Sequence, residues 1–199
     1  KRAGTLYILA SHFHPDHFNK EVLQWREQRP DIIYIFSKDI LRHRRAQKED
    51  AVWLKKGEEY KDETLSVRAF GSTDVGVSFL LQASGKKIFH AGDLNNWHWM
   101  DESTEAEWKG AEKNFLHELD DLYAYTPEVD VAMFPVDPRL GKEYMRGAGQ
   151  FVTKIKTHIF VPMHFTPEYA KANAFRDFAE AHGVRFVSLT HRGQKIEIE

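Results

Sequence analysis

Three histidines and one aspartate lie within six consecutive positions near the start of the chain, namely His12, His14, Asp16 and His17. They follow directly on the apolar run Leu6–Ala10. Four ligand-type side chains at one strand end would compete or repel one another unless a cation organised them. If the segment is extended, His12, His14 and Asp16 fall on one side while His17 is turned elsewhere, so two adjacent ions can be served. We predict a metal site here, with a loop of solvated polar side chains as the alternative.

The chain contains no cysteine. This excludes disulfides, zinc fingers and thiolate nucleophiles, and it leaves histidines and carboxylates as the available metal ligands. A shell of nitrogen and oxygen atoms suits zinc first, with manganese and iron as alternatives. The expected cofactor is therefore one or two divalent ions. The lack of cysteine is also compatible with a cytoplasmic enzyme, which is the location we expect.

Two later segments also place a polar ligand directly after an apolar strand. Asp93 ends the run Ile88–Asp93, and His164 follows the run Val161–Met163. Loops at strand ends are the usual carriers of functional side chains. Asp93 and His164 are therefore candidates for the same site as the first cluster.

These three segments, in this order, resemble the metallo-β-lactamase superfamily, with its His-x-His-x-Asp-His signature, its Gly-Asp pair and its late histidine. The resemblance covers nearly the whole chain and implies an α/β fold, the αββα sandwich. It also implies that His12 and His14 bind one ion. The second ion would be bound by Asp16, His17 and His164, and Asp93 would bridge the two.

The sequence departs from the family pattern in two places. The family usually has a histidine in a Gly-His-Thr type of turn before the bridging aspartate, and the matching stretch Gly71–Gly76 offers Thr73 or Asp74 instead. Either Asp74 is a substitute carboxylate ligand, or the enzyme runs with one ion. In addition, only 11 residues precede His12, so either the first sheet lacks some N-terminal strands or those strands lie outside this sequence.

The implied reaction is hydrolysis, because a bound divalent ion activates water and polarises a carbonyl or phosphoryl oxygen. Asp16 is the expected acid or base besides its role as a ligand. Three further side chains are candidate metal or substrate contacts. His98 follows Asp93 closely, Arg139 lies just past a strand, and His191 lies in a late loop. Core packing of the His98 segment and an ion pair of Arg139 are the structural alternatives.

Within the superfamily, Phe134-Pro135-Val136, Met145 and the Pro-Met-His strand end loosely resemble the group that includes ascorbate-6-phosphate lactonase and phospholipase D-type hydrolases. The expected substrate is a small molecule with an ester, lactone or phosphoester bond. The chain has 28 Lys and Arg against 30 Asp and Glu, a net charge of −2. Such a balance provides no bulk attraction for nucleic acid or anionic lipid. Two alternatives are a nucleic-acid-processing phosphodiesterase and a metal-binding module without turnover.

The elements that must position these residues alternate strands and helices. At 199 residues one domain over residues 1–199 is expected. No apolar stretch approaches the roughly 20 residues that span a bilayer, and we do not expect Lys1–Gly4 to act as a signal peptide. Strands are predicted over Leu6–Ala10, Ile32–Phe36, Thr64–Phe70, Val77–Gln82, Lys86–Ala91, Val129–Phe134, Ile159–Pro162 and Arg185–Leu189, with a last strand through Ile196. Helices are predicted over Asn19–Gln28, a short basic segment after Ser37 or Asp39, Thr104–Tyr125, Lys142–Lys156 and Pro167–His182.

Overall fold

The computed structural model describes residues 4–197, so part of the segment Lys1–Gly4 and the ends of the predicted domain lie outside the described residues. Two sheets form the centre of the fold. The first is parallel and has three strands in the order β1-β2-β3. These strands are β1 (Leu6–Ala10), β2 (Ile32–Ser37) and β3 (Val52–Leu54).

The second sheet has seven strands in the order β10-β9-β8-β7-β6-β5-β4. Its strands are β4 (Glu59–Lys61), β5 (Ser66–Phe70), β6 (Ser78–Ala83), β7 (Lys86–His90), β8 (Glu128–Pro135), β9 (Lys156–Met163) and β10 (Arg185–Phe186). Strands β4 to β7 pair antiparallel, which includes the predicted meander, and β7 to β10 pair parallel. Ser84 and Gly85, at φ of 50° and 75°, make the tight turn between β6 and β7.

Helices cover the outer faces of the two sheets. They are α1 (Trp25–Gln28), α2 (Lys38–Arg42), α3 (Glu105–Tyr125), α4 (Arg146–Lys154), α5 (Tyr169–Asn173) and α6 (Arg176–Ala181). The long helix α3 begins where predicted, because Thr104 and Glu107 form a reciprocal cap around the first free backbone N–H groups. No helix in residues 4–197 combines the length and apolar character that a membrane crossing requires.

Apolar packing joins the layers in the order helix, sheet, sheet, helix. Between the sheets, Ile35 and Leu54 pack with Val67 and Phe79. On the outer face of the second sheet, α3 and α4 bury their apolar stripes against β8 and β9, while α2 covers the first sheet. The αββα sandwich predicted from the sequence is confirmed.

The structure differs from the sequence-based prediction in several elements. Strands β3 and β4 are not predicted, because at three residues each they are too short for a period-two pattern to reveal. The helix predicted over Lys142–Lys156 is shorter in the structure, where α4 covers Arg146–Lys154. Lys142 and Glu143 belong instead to a 3-10 segment over Pro138–Glu143, which is kinked at Gly141 with a φ of 79°. Lys156 already begins β9.

The predicted helix over Pro167–His182 forms as the two short helices α5 and α6. The strand predicted through Ile196 does not form, and β10 ends at Phe186. The amide side chain of Gln194 accepts a hydrogen bond from the backbone of Thr190 and donates one to that of Ser188.

Candidate metal centre

Parallel strands β7, β8 and β9 end at the same edge of the second sheet. Asp93 follows β7, Asp137 follows β8 and His164 follows β9, and β8 and β9 are in register from Glu128 to Pro135. The carboxyl ends of parallel strands are where α/β proteins place their ligands. Strand β1 of the other sheet ends at the same place and brings the segment from His12 to His17.

Asp93 lies in the middle of these loops and is 5% exposed. Its Oδ2 is 3.3 Å from Nε2 of His12. Its Oδ1 is 3.2 Å from Nε2 of His17 and 3.4 Å from Nε2 of His164. Yet Oδ1 is buried with no hydrogen-bond partner in the described part of the chain. A buried carboxylate oxygen that imidazole nitrogens surround without bonding fits a divalent cation among them.

There are three overlapping groups of side chains, and within each group the ligand atoms lie within 4.8 Å of one another. The groups are His12 with His17 and Asp93, Asp16 with His17 and His164, and His14 with Asp74 and Asp93. The rings of His12 and His14 are also adjacent, with Nε2 of His12 3.1 Å from Nδ1 of His14. All six residues that the sequence assigns to metal are therefore brought together.

The loop over 71–76, where the family keeps a further histidine, packs directly on this cluster. Val77 donates its backbone N–H to the carbonyl of Ser11 at 3.0 Å. A Cβ on Gly76 would lie 2.1 Å from that carbonyl oxygen and 2.5 Å from Cβ of His12, so only glycine allows this approach. The hydroxyl of Thr73 is engaged with the backbone of Asn95. Asp74 is thus the residue of this loop that is grouped with the site.

Burial and mutual contacts shift the pKa values of three of these groups. Burial lowers the pKa of His12 to about 4, against the opposing charge of Asp93. Burial would raise the pKa of Asp93, but interactions with His164, His12 and His17 outweigh it and the net shift is downward. Burial disfavours the charged form of His164 and would lower its pKa, yet contacts with Asp137 and Asp93 raise that pKa to about 9.

The backbone of His164 is in the left-handed region, at a φ of 65°. This conformation is unfavourable for a residue with a Cβ and costs roughly 1–2 kcal/mol. Strain of this kind persists where surrounding contacts hold it and is concentrated at functional sites. In this conformation Nε2 of the imidazole lies 3.4 Å from Oδ1 of Asp93.

Two cavities adjoin the cluster. One of about 230 Å³ is lined by Asp16, Asp137, Arg139, His164, Phe165 and Glu168, among others. The other, of about 270 Å³, is lined by Thr73, Asp74, Asp93, Trp97, Trp99, Arg139 and His164. Arg139 and His164 line both. Space for a small substrate therefore exists on both sides of the late histidine.

The other candidates differ in where they lie. Arg139 forms the ion pair that the sequence left as an alternative, with its Nη2 2.6 Å from Oδ2 of Asp137. His98 is a correction: it is 1% exposed, its Nε2 contacts the carbonyl of Glu143, and its Nδ1 accepts from Met100 N–H. Neither nitrogen is free for a metal or a substrate. His191 is exposed, contacts Thr190 and lines neither cavity.

Sequence reasoning gave no role of its own to Asp137, which is 1% exposed. Its Oδ2 lies 2.8 Å from Nδ1 of His164. Contacts with His164 and Arg139 outweigh burial and lower the pKa of Asp137 to about 2. Its position in the sequence could have indicated a role, because Asp137 follows β8 as Asp93 follows β7 and His164 follows β9.

Several solved structures share this fold. A metallo hydrolase from the hyperthermophilic archaeon Ignicoccus hospitalis, Igni18, matches with a TM-score of 0.61 and 16% identity, over 93% of this chain and 76% of that one. A candidate metal-dependent hydrolase from Parabacteroides distasonis matches with a TM-score of 0.59 and 17% identity, over 91% and 74%. Zinc-bound PqqB from Methylobacterium extorquens matches with a TM-score of 0.53 and 15% identity, over 92% and 70%.

At these identities the likeness concerns the fold. No curated protein sequence matches the chain. The family model described as the beta-lactamase superfamily domain matches residues 3–165, which span the whole of the site from the first histidine cluster to His164. With the αββα sandwich and the clustered strand ends, this match shows that the chain belongs to the metallo-β-lactamase superfamily.

Proposed function

We propose that this protein is a hydrolase that binds one or two divalent ions, zinc by preference, and cleaves an ester, lactone or phosphoester bond of a small molecule. The observation that carries the proposal is the approach of three imidazole nitrogens to the two oxygens of buried Asp93. Membership of the superfamily supports the reaction class.

The proposed ligands follow the family pattern. His12, His14 and Asp93 would hold the first ion, with Asp74 in place of the histidine usual in the family. His14, Asp74 and Asp93 form one of the groups found here, and Nε2 of His12 lies 3.1 Å from Nδ1 of His14. Asp16, His17 and His164 would hold the second, with Asp93 shared between the two. The donor set contains only nitrogen and oxygen atoms, which zinc accepts readily.

Divalent ions bound here would activate water and polarise the carbonyl or phosphoryl oxygen that is attacked. Asp16 is well placed for the proton transfers, because its side chain is 71% exposed and lines the smaller cavity while Oδ2 lies 3.5 Å from Nε2 of His17. Its carboxylate would take the proton of the attacking water and pass it to the leaving oxygen. Trp97 and Trp99 would form an apolar wall for the substrate.

A small substrate suits the dimensions of the two cavities, about 230 and 270 Å³. The net charge of −2 supplies no general attraction for a polyanion. We therefore propose a small molecule rather than nucleic acid or a membrane lipid surface as the partner.

The test uses p-nitrophenyl esters, lactones and bis-p-nitrophenyl phosphate as probes. We expect chelator-treated protein to be inactive on all of them and zinc, manganese or iron to restore turnover of at least one class. Asp93→Ala should stay inactive after metal is added back, whereas Asp120→Ala, at an exposed ion pair with Lys154, should match the wild type. Full activity of the chelated protein, or of Asp93→Ala, would overturn the proposal.

A further inference from the structure

The two ring nitrogens of His164 face opposite partners. Nε2 points to the metal cluster, 3.4 Å from Oδ1 of Asp93. Nδ1 points away from it and lies 2.8 Å from Oδ2 of Asp137. A carboxylate can only accept at this distance, so Nδ1 carries a hydrogen, and in the neutral ring the lone pair of Nε2 then faces the cluster.

Asp137 is itself held rigidly. It accepts the backbone N–H of Arg139 at 3.0 Å, and the guanidinium of Arg139 donates to both its oxygens from Nε, at 3.0 Å each. Nη2 of Arg139 also lies 3.3 Å from Nδ1 of His164, but it donates to Oδ2 of Asp137 at the shorter distance of 2.6 Å. The arginine therefore fixes the carboxylate, and the carboxylate fixes the imidazole.

Among the described residues, His164 is the one imidazole of the cluster whose outward nitrogen meets a carboxylate. The outward Nδ1 atoms of His12 and His17 instead face the hydroxyl of Ser11, at 3.1 and 3.5 Å. A hydroxyl can donate or accept, so it leaves the tautomer of these rings open. The carboxylate of Asp137 can only accept a hydrogen bond, so of these three rings it is that of His164 whose tautomer is fixed.

We propose that Asp137 is a positioning residue that sets the tautomer and the ring orientation of His164, and so governs the affinity of the ion held with Asp16 and His17. This inference rests on the proposed metal centre. Outer partners of metal-binding histidines typically contribute about 10–100-fold to metal affinity. Asp137 would do so at one of the two ions, because it touches a ligand of that ion and none of the other.

The experiment measures zinc binding to the whole protein by competition with a chromophoric chelator. Asp137→Asn keeps the shape of the side chain but removes its charge and its acceptor-only character. Glu112→Gln is the matched control, because Glu112 also holds an arginine, Arg146, through both oxygens but touches no histidine of the cluster. Arg139→Gln keeps the carboxylate of Asp137 and removes the group that restrains it.

We expect Asp137→Asn to weaken one zinc equivalent by about 10–100-fold and to leave any other unchanged, while Glu112→Gln binds zinc like the wild type. Arg139→Gln should give a smaller loss at the same equivalent. The visible spectrum of the cobalt-loaded protein should change in Asp137→Asn and stay the same in Glu112→Gln, which a merely structural role of Asp137 would not produce.

The outcomes separate the inference from the proposed function. If the wild type binds no zinc, the metal centre itself is wrong. If the wild type binds zinc and a folded Asp137→Asn binds it equally tightly, Asp137 has no positioning role although the metal centre stands. If circular dichroism shows that Asp137→Asn does not fold, the zinc affinity of Arg139→Gln becomes the test. Unchanged zinc affinity in Arg139→Gln would then contradict the inference.

Discussion

His17 and His164 come from loops at the ends of opposite sheets, yet their Nε2 atoms approach one and the same atom, Oδ1 of Asp93, at 3.2 and 3.4 Å. His17 follows β1 of the first sheet, and His164 follows β9 of the second. The site is therefore complete only when the two sheets are packed together. An ion bound at this point would link the halves of the sandwich.

Metal should stabilise the folded protein for this reason. A ligand that binds only the folded state stabilises it by about 2.7 kcal/mol at a free concentration 100 times its Kd. We expect zinc to raise the Tm of chelator-treated protein by several degrees, as followed by circular dichroism, and Asp93→Ala to lose most of this gain. Calcium, which prefers six to eight oxygen ligands, should have little effect. A Tm that zinc leaves unchanged would argue against ligands drawn from both sheets.

Asp74 decides whether the first ion is held without the usual histidine. Removal of its carboxylate in Asp74→Ala should weaken one zinc equivalent by at least about tenfold, the scale set by partners of metal ligands. Asp74→His should keep or strengthen that equivalent, since imidazole is a good zinc ligand. Equilibrium dialysis with zinc analysis provides the measurement, with the exposed Glu102→Ala as the control. Equal zinc content in Asp74→Ala and the control would favour a centre that does not use Asp74.

Gly76 should be intolerant of any side chain. Its φ of 75° and the short distance from an added Cβ to the Ser11 carbonyl mean that Gly76→Ala must shift the backbone that carries His12. We expect a loss of at least about 1–2 kcal/mol in unfolding free energy from the left-handed backbone alone, together with weaker zinc binding. Gly57→Ala is the control, because Gly57 has a φ of 87° and open space around its Cβ position.

For Gly76→Ala, denaturant unfolding measures the unfolding free energy, and competition with a chelator measures the zinc affinity. A Gly76→Ala variant that loses no more stability than Gly57→Ala would show that the close approach to the Ser11 carbonyl does not matter. Unchanged zinc affinity would show that the position of His12 does not depend on it.

Acid should weaken a contact between the sheets that lies away from the site. Asp62, just after β4, accepts hydrogen bonds from the hydroxyls of Tyr60 and of Tyr7, the latter in β1, both at 2.7 Å. Those bonds, with backbone N–H groups of Leu65 and Thr64, hold the pKa of Asp62 far below its usual range. A carboxyl with a depressed folded pKa adds stability above its unfolded pKa, near 3.9, and loses it as the pH falls further.

Asp62→Asn should therefore lower the Tm at neutral pH, and the difference from the wild type should shrink as the pH drops below about 4. Thermal melts of chelator-treated proteins at several pH values provide the measurement, so that metal binding does not contribute. Asp120→Asn, at an exposed ion pair, is the control. A difference that stays constant down to the most acidic pH would mean that the charge of Asp62 contributes nothing.

The sequence predicts much of the fold because its long elements carry clear periodicity. The apolar runs Leu6–Ala10 and Ile88–Ala91 both end in polar loops, and the packing of the two sheets then brings those loops together. Strands β3 and β4 are not predicted, because three residues are too few to show a period-two pattern. The last predicted strand does not form, and the side chain of Gln194 instead bonds to the backbone of Thr190 and Ser188, a contact that residue propensities do not describe.

The candidate site is likewise predictable only in part. Ligand-type residues that lie close together in sequence, such as His12 and His14, indicate a site by their density alone. Asp137 has no polar neighbour of that kind and gains its place only from the register of β8 against β9. His98 has the opposite character, because it stands close to Asp93 in sequence while its ring is turned into the core, where it contacts the carbonyl of Glu143.

In the proposed centre, Asp93 holds a divalent ion between the loops of the two sheets. Anomalous diffraction at the zinc absorption edge, from crystals of the zinc-loaded protein, would locate this ion. We expect at least one peak at about 2.0–2.2 Å from an oxygen of Asp93 and within ligand distance of His17 or His164. Zinc peaks elsewhere on the protein, with none beside Asp93, would contradict it.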